Sequence, residues 1–388
     1  MGSRRSGAGT ALLGALLAVG LAGCTSSGGG SVGTPVPLPS ASSPPASPSA
    51  TPTPAGPTGP VQPAGEPSDV VTGLDAPWSV VPVDGSILIS QRDAANILEV
   101  TADGQTREAG RVDGVVPSGE GGLLGLTLLE EDGERWLYAY FTAQDDNRIV
   151  RMPLTGGAGS LALGAPTVVL SGLLKAVNHD GGRIAFGPDG MLYATVGDAG
   201  VRDSAQDPAS LNGKILRMTP EGGVPDGNPF GDSLVWSMGH RNPQGIAWTA
   251  DGVLFAAEFG QNTWDELNRI EPGANYGWPV VEGTGDDGRF VNPVYQWGTD
   301  EASPSGLAVA GDTLFLAGLG GERLWMIQGA ATGGEAVATE YFGGAYGRIR
   351  DVLLAPDDSL WFLTNNTDGR GSPREGDDRL VRIALTPA

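Results

Sequence analysis

An imidazole beside a carboxylate can take a proton at neutral pH, because the carboxylate fixes the ring's tautomer and raises its basicity. The chain holds two histidines in 388 residues. His179 stands about ten residues before the turn "GPDG" in "VNHDGGRIAFGPDGMLYATVGD", and Asp198 about ten residues after it. Strands on either side of a tight turn run antiparallel, so residues equidistant from it face each other. The hairpin therefore brings Asp198 back beside His179, the arrangement of a general base. A structural hydrogen bond at a sheet edge would use the same spacing, and the hairpin alone does not choose between them.

The same construction recurs. His240 opens "GHRNPQGIAWTADGVLFAAEFG", where Arg241 and Asn242 precede the Asp251 turn and Gly260 and Gln261 follow it. Glu120 precedes the Asp132 turn, and Arg348 and Arg350 precede the Asp357 turn. If the hairpins are equivalent, these residues share one end of the fold. Converging arginines in an acidic chain suit an anionic ligand, since guanidinium forks match carboxylates held in plane. Each arginine taken singly also fits a solvated surface charge. The stretch "AEFGQNTWDELNRIEPGANYGWP", Ala257 to Pro279, offers Glu258, Asp265, Glu266 and irregular backbone carbonyls. Oxygen ligands of this kind suit Ca²⁺, and equally a polar connection. No His or Cys cluster suits zinc, and no glycine-rich loop suits phosphate.

The elements that must position these groups are hairpins. An apolar strand, a turn built on Asp-Gly or its like and a second apolar strand recur near residues 84, 132, 189, 251, 311 and 357. Asp-Gly between apolar runs is a strong hairpin signal, because glycine accepts positive φ. Helical periodicity is scarce. The spacing predicts an all-β fold, a six-bladed β-propeller with four-stranded antiparallel blades. A β-sandwich is disfavoured by regular spacing over the whole domain. The closing blade would pair a strand near residue 70 with "RLVRIAL", Arg379 to Leu385.

Residues 1–23 read as an export signal: Arg4 and Arg5, a short apolar run from Ala11, then "LAGC" ending at Cys24. That run is too short for a stable membrane-spanning helix. The pattern is that of a bacterial lipoprotein, with Cys24 as the acylated N-terminus. It implies a chain exported and lipid-anchored on the outer face of the cytoplasmic membrane. Cys24 is the single cysteine, so no internal disulfide is available. Residues 24–66 read as a disordered Ser/Thr/Pro/Gly-rich linker, and residues 67–388 as the propeller domain. A net charge of −22 argues against nucleic acid and against docking on anionic lipid.

Together "GLDAPWSV", "GEGGLLGL", "NHDGGRIAFGPDGMLYATVGD", "SLNGKILRMTPEGGVPDGNPF", "GHRNPQGIAW", "DELNRIEPGANYGWP" and "GRIRDVLLAPD" resemble the PQQ-dependent soluble aldose (glucose/sorbosone) dehydrogenase family. The match runs in order from Gly73 to Leu385. The resemblance implies pyrroloquinoline quinone (PQQ) near the propeller axis, Ca²⁺, oxidation of an aldose sugar at C1 to the lactone, and an external electron acceptor. It implies that His179 is the base, that Asp198 orients it, and that Arg241 and Asn242 lie at the cofactor. It implies that Arg348 and Arg350 grip the cofactor carboxylates, that the carbonyls of Gly260 and Gln261 bind a catalytic Ca²⁺, and that Glu266 and the Tyr276 carbonyl bind a second one. This chain departs from the pattern in three places. Glu120 stands where glucose-oxidising members place a cofactor-contacting Gln. Gln261 stands where Pro is usual. "GLGGERL" lacks the cofactor-binding lysine, leaving Arg323 as its substitute. A non-catalytic propeller binding carbohydrate or protein, and a Ca²⁺-dependent lactonase, are the alternative readings.

Overall fold

The computed structural model of the chain describes residues 56–388. The export signal and Cys24 lie outside the described residues. Six antiparallel sheets, each built on four strands, follow one another along the chain. Their first strands are Pro77–Val83, Leu123–Glu131, Ile184–Phe186, Pro243–Trp248, Pro304–Ala310 and Ile349–Leu354. The second blade carries one extra two-residue strand, Ala162–Leu163. This is the six-bladed propeller that the hairpin spacing predicts.

Each expected turn falls between the first and second strands of a blade. Val83 pairs Ser86, Glu131 pairs Glu134, Phe186 pairs Leu192, Trp248 pairs Leu254, Ala310 pairs Thr313 and Leu354 pairs Leu360. Asp84 and Gly85 both take positive φ (48° and 81°), as do Asp132 and Gly133 (53° and 81°). That backbone twist matches the right-handed twist of the flanking strands, which explains the preference for Asp-Gly.

The apolar residues form six buried clusters, one between each pair of neighbouring blades. Val81, Leu88, Leu126 and Ala139 join blades one and two, and Val80, Ile89, Leu363 and Leu380 join blade one to blade six. Because both faces of a blade are covered, second strands read as continuous apolar runs rather than alternating ones. Leu192–Val196 is buried at every position. Toward the axis the first strands of successive blades pass very close. A Cβ on Gly245 would lie 2.2 Å from the Ser305 carbonyl oxygen, and one on Gly306 2.7 Å from the Asp351 Cα.

The ring is closed by Val61–Val71, which pairs antiparallel with Leu380–Pro387 and completes the last sheet. The closing partnership is the expected one, but the strand begins at Val61, so the boundary drawn at residue 67 is too late. Polar composition hid it: "VQPAGEPSDVV" is an edge strand with one face toward water, and its buried ends are the valines at 61 and 71. Val61 is also tied to blade five. Its N–H donates to Thr313 Oγ1 at 2.9 Å, and the Thr313 hydroxyl donates to the Val61 carbonyl at 3.0 Å. Thr313→Val would leave both backbone groups buried without partners, so a loss of about 1–3 kcal/mol is expected. Urea unfolding of residues 56–388 checks it, and an unchanged midpoint would refute the role of Thr313 in closure.

Candidate active site

His179 sits where the chain enters blade three. The pairing of Ile184 with Ala194 extends outward until the Ala199 N–H donates to the His179 carbonyl at 3.2 Å. His179 Nδ1 then lies 2.7 Å from Asp198 Oδ1. Asp198 is fully buried and also accepts the Gly200 N–H (2.8 Å) and the Trp278 indole N–H (2.8 Å). Burial alone would raise its pKa, but the bonds from His179, Gly200 and Trp278 outweigh burial and hold it below the usual carboxylate range. An ionised Asp198 can only accept, so His179 Nδ1 carries the proton of that bond, and in the neutral ring the free lone pair is on Nε2. The backbone of His179 is left-handed, with φ 61°. Its N–H donates to Glu120 Oε2 at 2.9 Å.

Glu120 lines a cavity of about 270 Å³ with Trp78, Asn178, Gln244, Phe259, Arg348, Arg350 and Arg370 among its walls. The acid at this position is paired: Arg370 Nη1 stands 3.4 Å from Glu120 Oε1. Arg348 and Arg350 come together as expected. Arg348 Nη2 lies 3.2 Å and Arg350 Nη2 3.8 Å from Asp368 Oδ2. Burial opposes ionisation of Asp368, but Arg348 and Arg350 prevail and hold its pKa low. Arg350 is almost wholly buried, and burial pushes its pKa down to about 9 against the pull of Asp368. It is held by Gln244 Oε1 (2.8 Å) and Asn365 Oδ1 (3.0 Å). Arg241 reaches the same end of the fold, since its carbonyl accepts the Asp198 N–H at 2.8 Å and its guanidinium lies 5.4 Å from the Trp278 ring. Buried guanidinium nitrogens of Arg92, Arg183, Arg241 and Arg348 have no hydrogen-bond partner.

Two expected cofactor contacts are engaged by other residues of the chain. Arg323 is drawn outward to Glu340, on the outermost strand of blade five, and is absent from the cavity wall. It starts the third strand, paired to Gly318, so its side chain leaves the axis. Asn242 is buried, and its Oδ1 accepts the Gly181 N–H at 3.0 Å. It braces the glycine turn that follows His179.

The loop after blade four's second strand carries Gly260 and Gln261. Four successive N–H groups, from Gln261 to Trp264, donate to Glu282 Oε1, and the Gly260 N–H donates to Asp265 Oδ1. Behind it lies a buried acidic pair. Glu258 and Glu266 are cross-strand partners. Burial pushes Glu258 up to about 8 and Glu266 up to about 7. His240 is not a second base: it is fully buried, stacked on Tyr276 at 4.8 Å and bonded through Nε2 to Ser237 Oγ at 2.8 Å. Burial drives its pKa down to about 3. Its Nδ1 lies 3.3 Å from Glu258 Oε2 without hydrogen-bond geometry, so two neutral groups meet there rather than an ion pair. Glu266 accepts from Gly283 (2.6 Å) and Asn268 (3.0 Å). Among the described residues no group of three acidic, His or Cys side chains could hold a metal ion, so any cation here must draw on backbone carbonyls.

Several site residues escaped the sequence reading. Trp78 and Arg92 flank the turn at residue 84, and Asp368 and Arg370 follow the turn at residue 357. Trp78 and Arg92 lie near the ends of the first hairpin's strands, whereas Asp368 and Arg370 run past the register of the last hairpin, where the Asn365 N–H still meets the Arg348 carbonyl. Trp278 and Glu282 lie in the long connection after blade four's third strand, where no pairing register reaches them.

The sequence profile of the glucose/sorbosone dehydrogenase family matches residues 74–381. The PQQ-bound structure of the aldose sugar dehydrogenase from Streptomyces coelicolor is 50% identical, with a TM-score of 0.80, over 86% of this chain and 100% of that one. The aldose sugar dehydrogenase of Escherichia coli is 29% identical over 78% of this chain and 91% of its own length. The quinoprotein glucose dehydrogenase B of Acinetobacter calcoaceticus is 29% identical over 58% of this chain, and the chain spans 55% of that relative's length.

The acidic pair has a consequence for pH. Without a cation the folded protein keeps protons on Glu258 and Glu266 above the ordinary value of 4.5. The unfolded chain has released them. This contribution to stability is therefore full below about pH 4.5 and is lost as pH rises through about 7 and 8. Urea unfolding in chelator should show stability falling across that range, with a shallower fall in Glu258→Gln. Equal slopes would contradict the burial argument.

Proposed function

The chain belongs to the glucose/sorbosone dehydrogenase family, and from that premise we propose that it oxidises aldose sugars at C1 to the lactone, with PQQ and Ca²⁺ as cofactors and an external acceptor for the electrons. The observation that carries this reading is a histidine hydrogen-bonded through Nδ1 to a buried carboxylate, beside a cavity lined by Arg348, Arg350 and Arg370, of which Arg348 keeps one buried donor nitrogen without a partner. A group bearing several carboxylates fits that wall. Arg348 and Arg350 would grip it, with Arg241 beside it and Arg92 and Arg370 as further cations where the family lysine is missing. The carbonyls of Gly260 and Gln261, and Glu266 with the Tyr276 carbonyl, would hold Ca²⁺ as oxygen donors.

When bound, PQQ would supply a two-electron acceptor and Ca²⁺ a Lewis acid. The chain's own contribution is proton transfer and positioning. His179 Nε2 takes the proton of the sugar C1 hydroxyl, and Asp198 stabilises the imidazolium that results. The bond from His179 N–H to Glu120 holds the left-handed residue in place. Arg370 keeps the Glu120 carboxyl group turned to that task.

Export and lipid anchoring at Cys24 complete the reading. Their support is the basic, apolar and "LAGC" pattern of the first 24 residues. Cys24→Ala is expected to release the protein from the membrane fraction, and retention there would count against an anchor at Cys24.

Residues 56–388, supplied with PQQ and Ca²⁺, are expected to reduce a dye in the presence of an aldose and to need both additions. His179→Ala should lose about 10²–10⁴-fold in kcat while still binding PQQ. Glu120→Gln, which keeps an acceptor for the His179 N–H, should retain more activity than Glu120→Ala. No turnover across a panel of aldoses, together with no spectral sign of bound PQQ, would overturn the proposal.

A further inference from the structure

One oxygen of Glu282 collects four consecutive backbone N–H groups, from Gln261 (2.7 Å), Asn262 (3.0 Å), Thr263 (3.0 Å) and Trp264 (3.2 Å). In a trans peptide the N–H of one residue and the C=O of the residue before it point in opposite directions. The bonds from Gln261 and Asn262 therefore act on the peptides whose carbonyls belong to Gly260 and Gln261. Pulling their N–H groups onto Glu282 turns both carbonyls to the other side of the chain. The Gly260 N–H is likewise taken by Asp265 Oδ1 at 2.9 Å. Among the described residues, the carbonyls of residues 260–263 accept no hydrogen bond. The loop thus has every N–H bound by a carboxylate and a run of carbonyl oxygens left over, a surface that suits a cation and repels an anion. It is also wound too tightly for a side chain at its start, since a Cβ on Gly260 would lie 1.8 Å from the Trp264 carbonyl oxygen and 2.8 Å from Glu282 Oε1.

We propose that Glu282 is the positioning residue of this loop: it binds no cation itself but orients the Gly260 and Gln261 carbonyls that do. The proposal rests on the reading that these carbonyls hold Ca²⁺. Gln261 belongs to the device. A proline there has no N–H, so this chain gains the shortest of the four bonds, at 2.7 Å, by carrying a residue with one. Burial disfavours an ionised Glu282, yet the four N–H groups keep its pKa below the usual range. Carboxylates and carbonyls that orient metal ligands typically matter about 10–100-fold in affinity.

The test is calorimetric titration of Ca²⁺ into chelator-treated residues 56–388 without PQQ, in a Glu266→Gln background that silences the second candidate site. Glu282→Ala is expected to weaken Ca²⁺ binding about 10–100-fold. Glu282→Gln, which keeps an acceptor oxygen, should recover most of that loss, and thermal melting without Ca²⁺ checks that both variants are folded. Unchanged affinity in both variants would overturn the positioning role and leave the cation reading standing. Equal loss in both would also overturn it, by showing that charge alone matters. No Ca²⁺ uptake by the Glu282-containing protein would remove the cation reading, and this inference with it.

Discussion

Antiparallel pairing about a tight turn is the constraint on which the rest of the molecule depends. A residue some distance before such a turn must meet the residue the same distance after it, whatever their identities. Six such turns, repeated around an axis, deliver twelve strand ends to the same side of a closed ring. His179 and Asp198 are a matched pair of this kind, and just past the register of the last hairpin Asp368 meets the arginines at 348 and 350. No single blade builds the cavity. Glu120 comes from blade two, Gln244 from blade four, Arg350 from blade six and Trp78 from blade one. Their meeting requires the ring to close, which is why the bond between Val61 and Thr313 belongs to the same argument as the bond between His179 and Asp198.

Electrostatics then decides what the gathered side chains can hold. The chain as a whole is strongly acidic, yet at the axial end arginines outnumber the acids they pair with. Asp368 serves two of them and Glu120 a third. Buried guanidinium nitrogens normally find acceptors, and here one nitrogen each of Arg92, Arg241 and Arg348 does not. A free carboxylate at position 120 would spoil an anion site. The two oxygens of Glu120 are instead occupied, one by the His179 N–H and the other by Arg370. The acid is spent on the base's backbone, and the positive character of the wall survives it.

How much of this was legible beforehand follows from the same geometry. The six turns, the closing partnership and the His179–Asp198 meeting are consequences of local turn chemistry and register, both visible as Asp-Gly and apolar runs. The start of the closing strand was not, because an exposed edge strand carries polar residues and proline that read as linker. Arg323 was misplaced because sequence position near the cavity says nothing of side-chain direction. As the first residue of the third strand it turns to Glu340 and away from the axis. His240 looks in sequence like His179's twin, and burial beside Tyr276 makes it a neutral packing element instead. Burial is a property of the assembled core, which no local pattern states.

The loop at residues 260–264 shows where register stops and peptide geometry takes over. Residues 260–263 pair with nothing as a strand, so no turn dictates which way their carbonyls point. A carboxylate arriving from twenty residues further along the chain does so through their N–H groups. An acid can in this way raise the affinity of a neighbouring site for a cation without touching it, since each N–H it binds commits a carbonyl to the opposite side. The same logic runs in reverse at Asp198, where N–H donors from His179, Gly200 and Trp278 hold a carboxylate ionised so that it can orient an imidazole. In both places a buried or half-buried acid is kept charged by donors and acts through the group it fixes. The side chain that would meet the ligand is therefore only half of each device, and the acid behind it is the half that sequence spacing is least able to find.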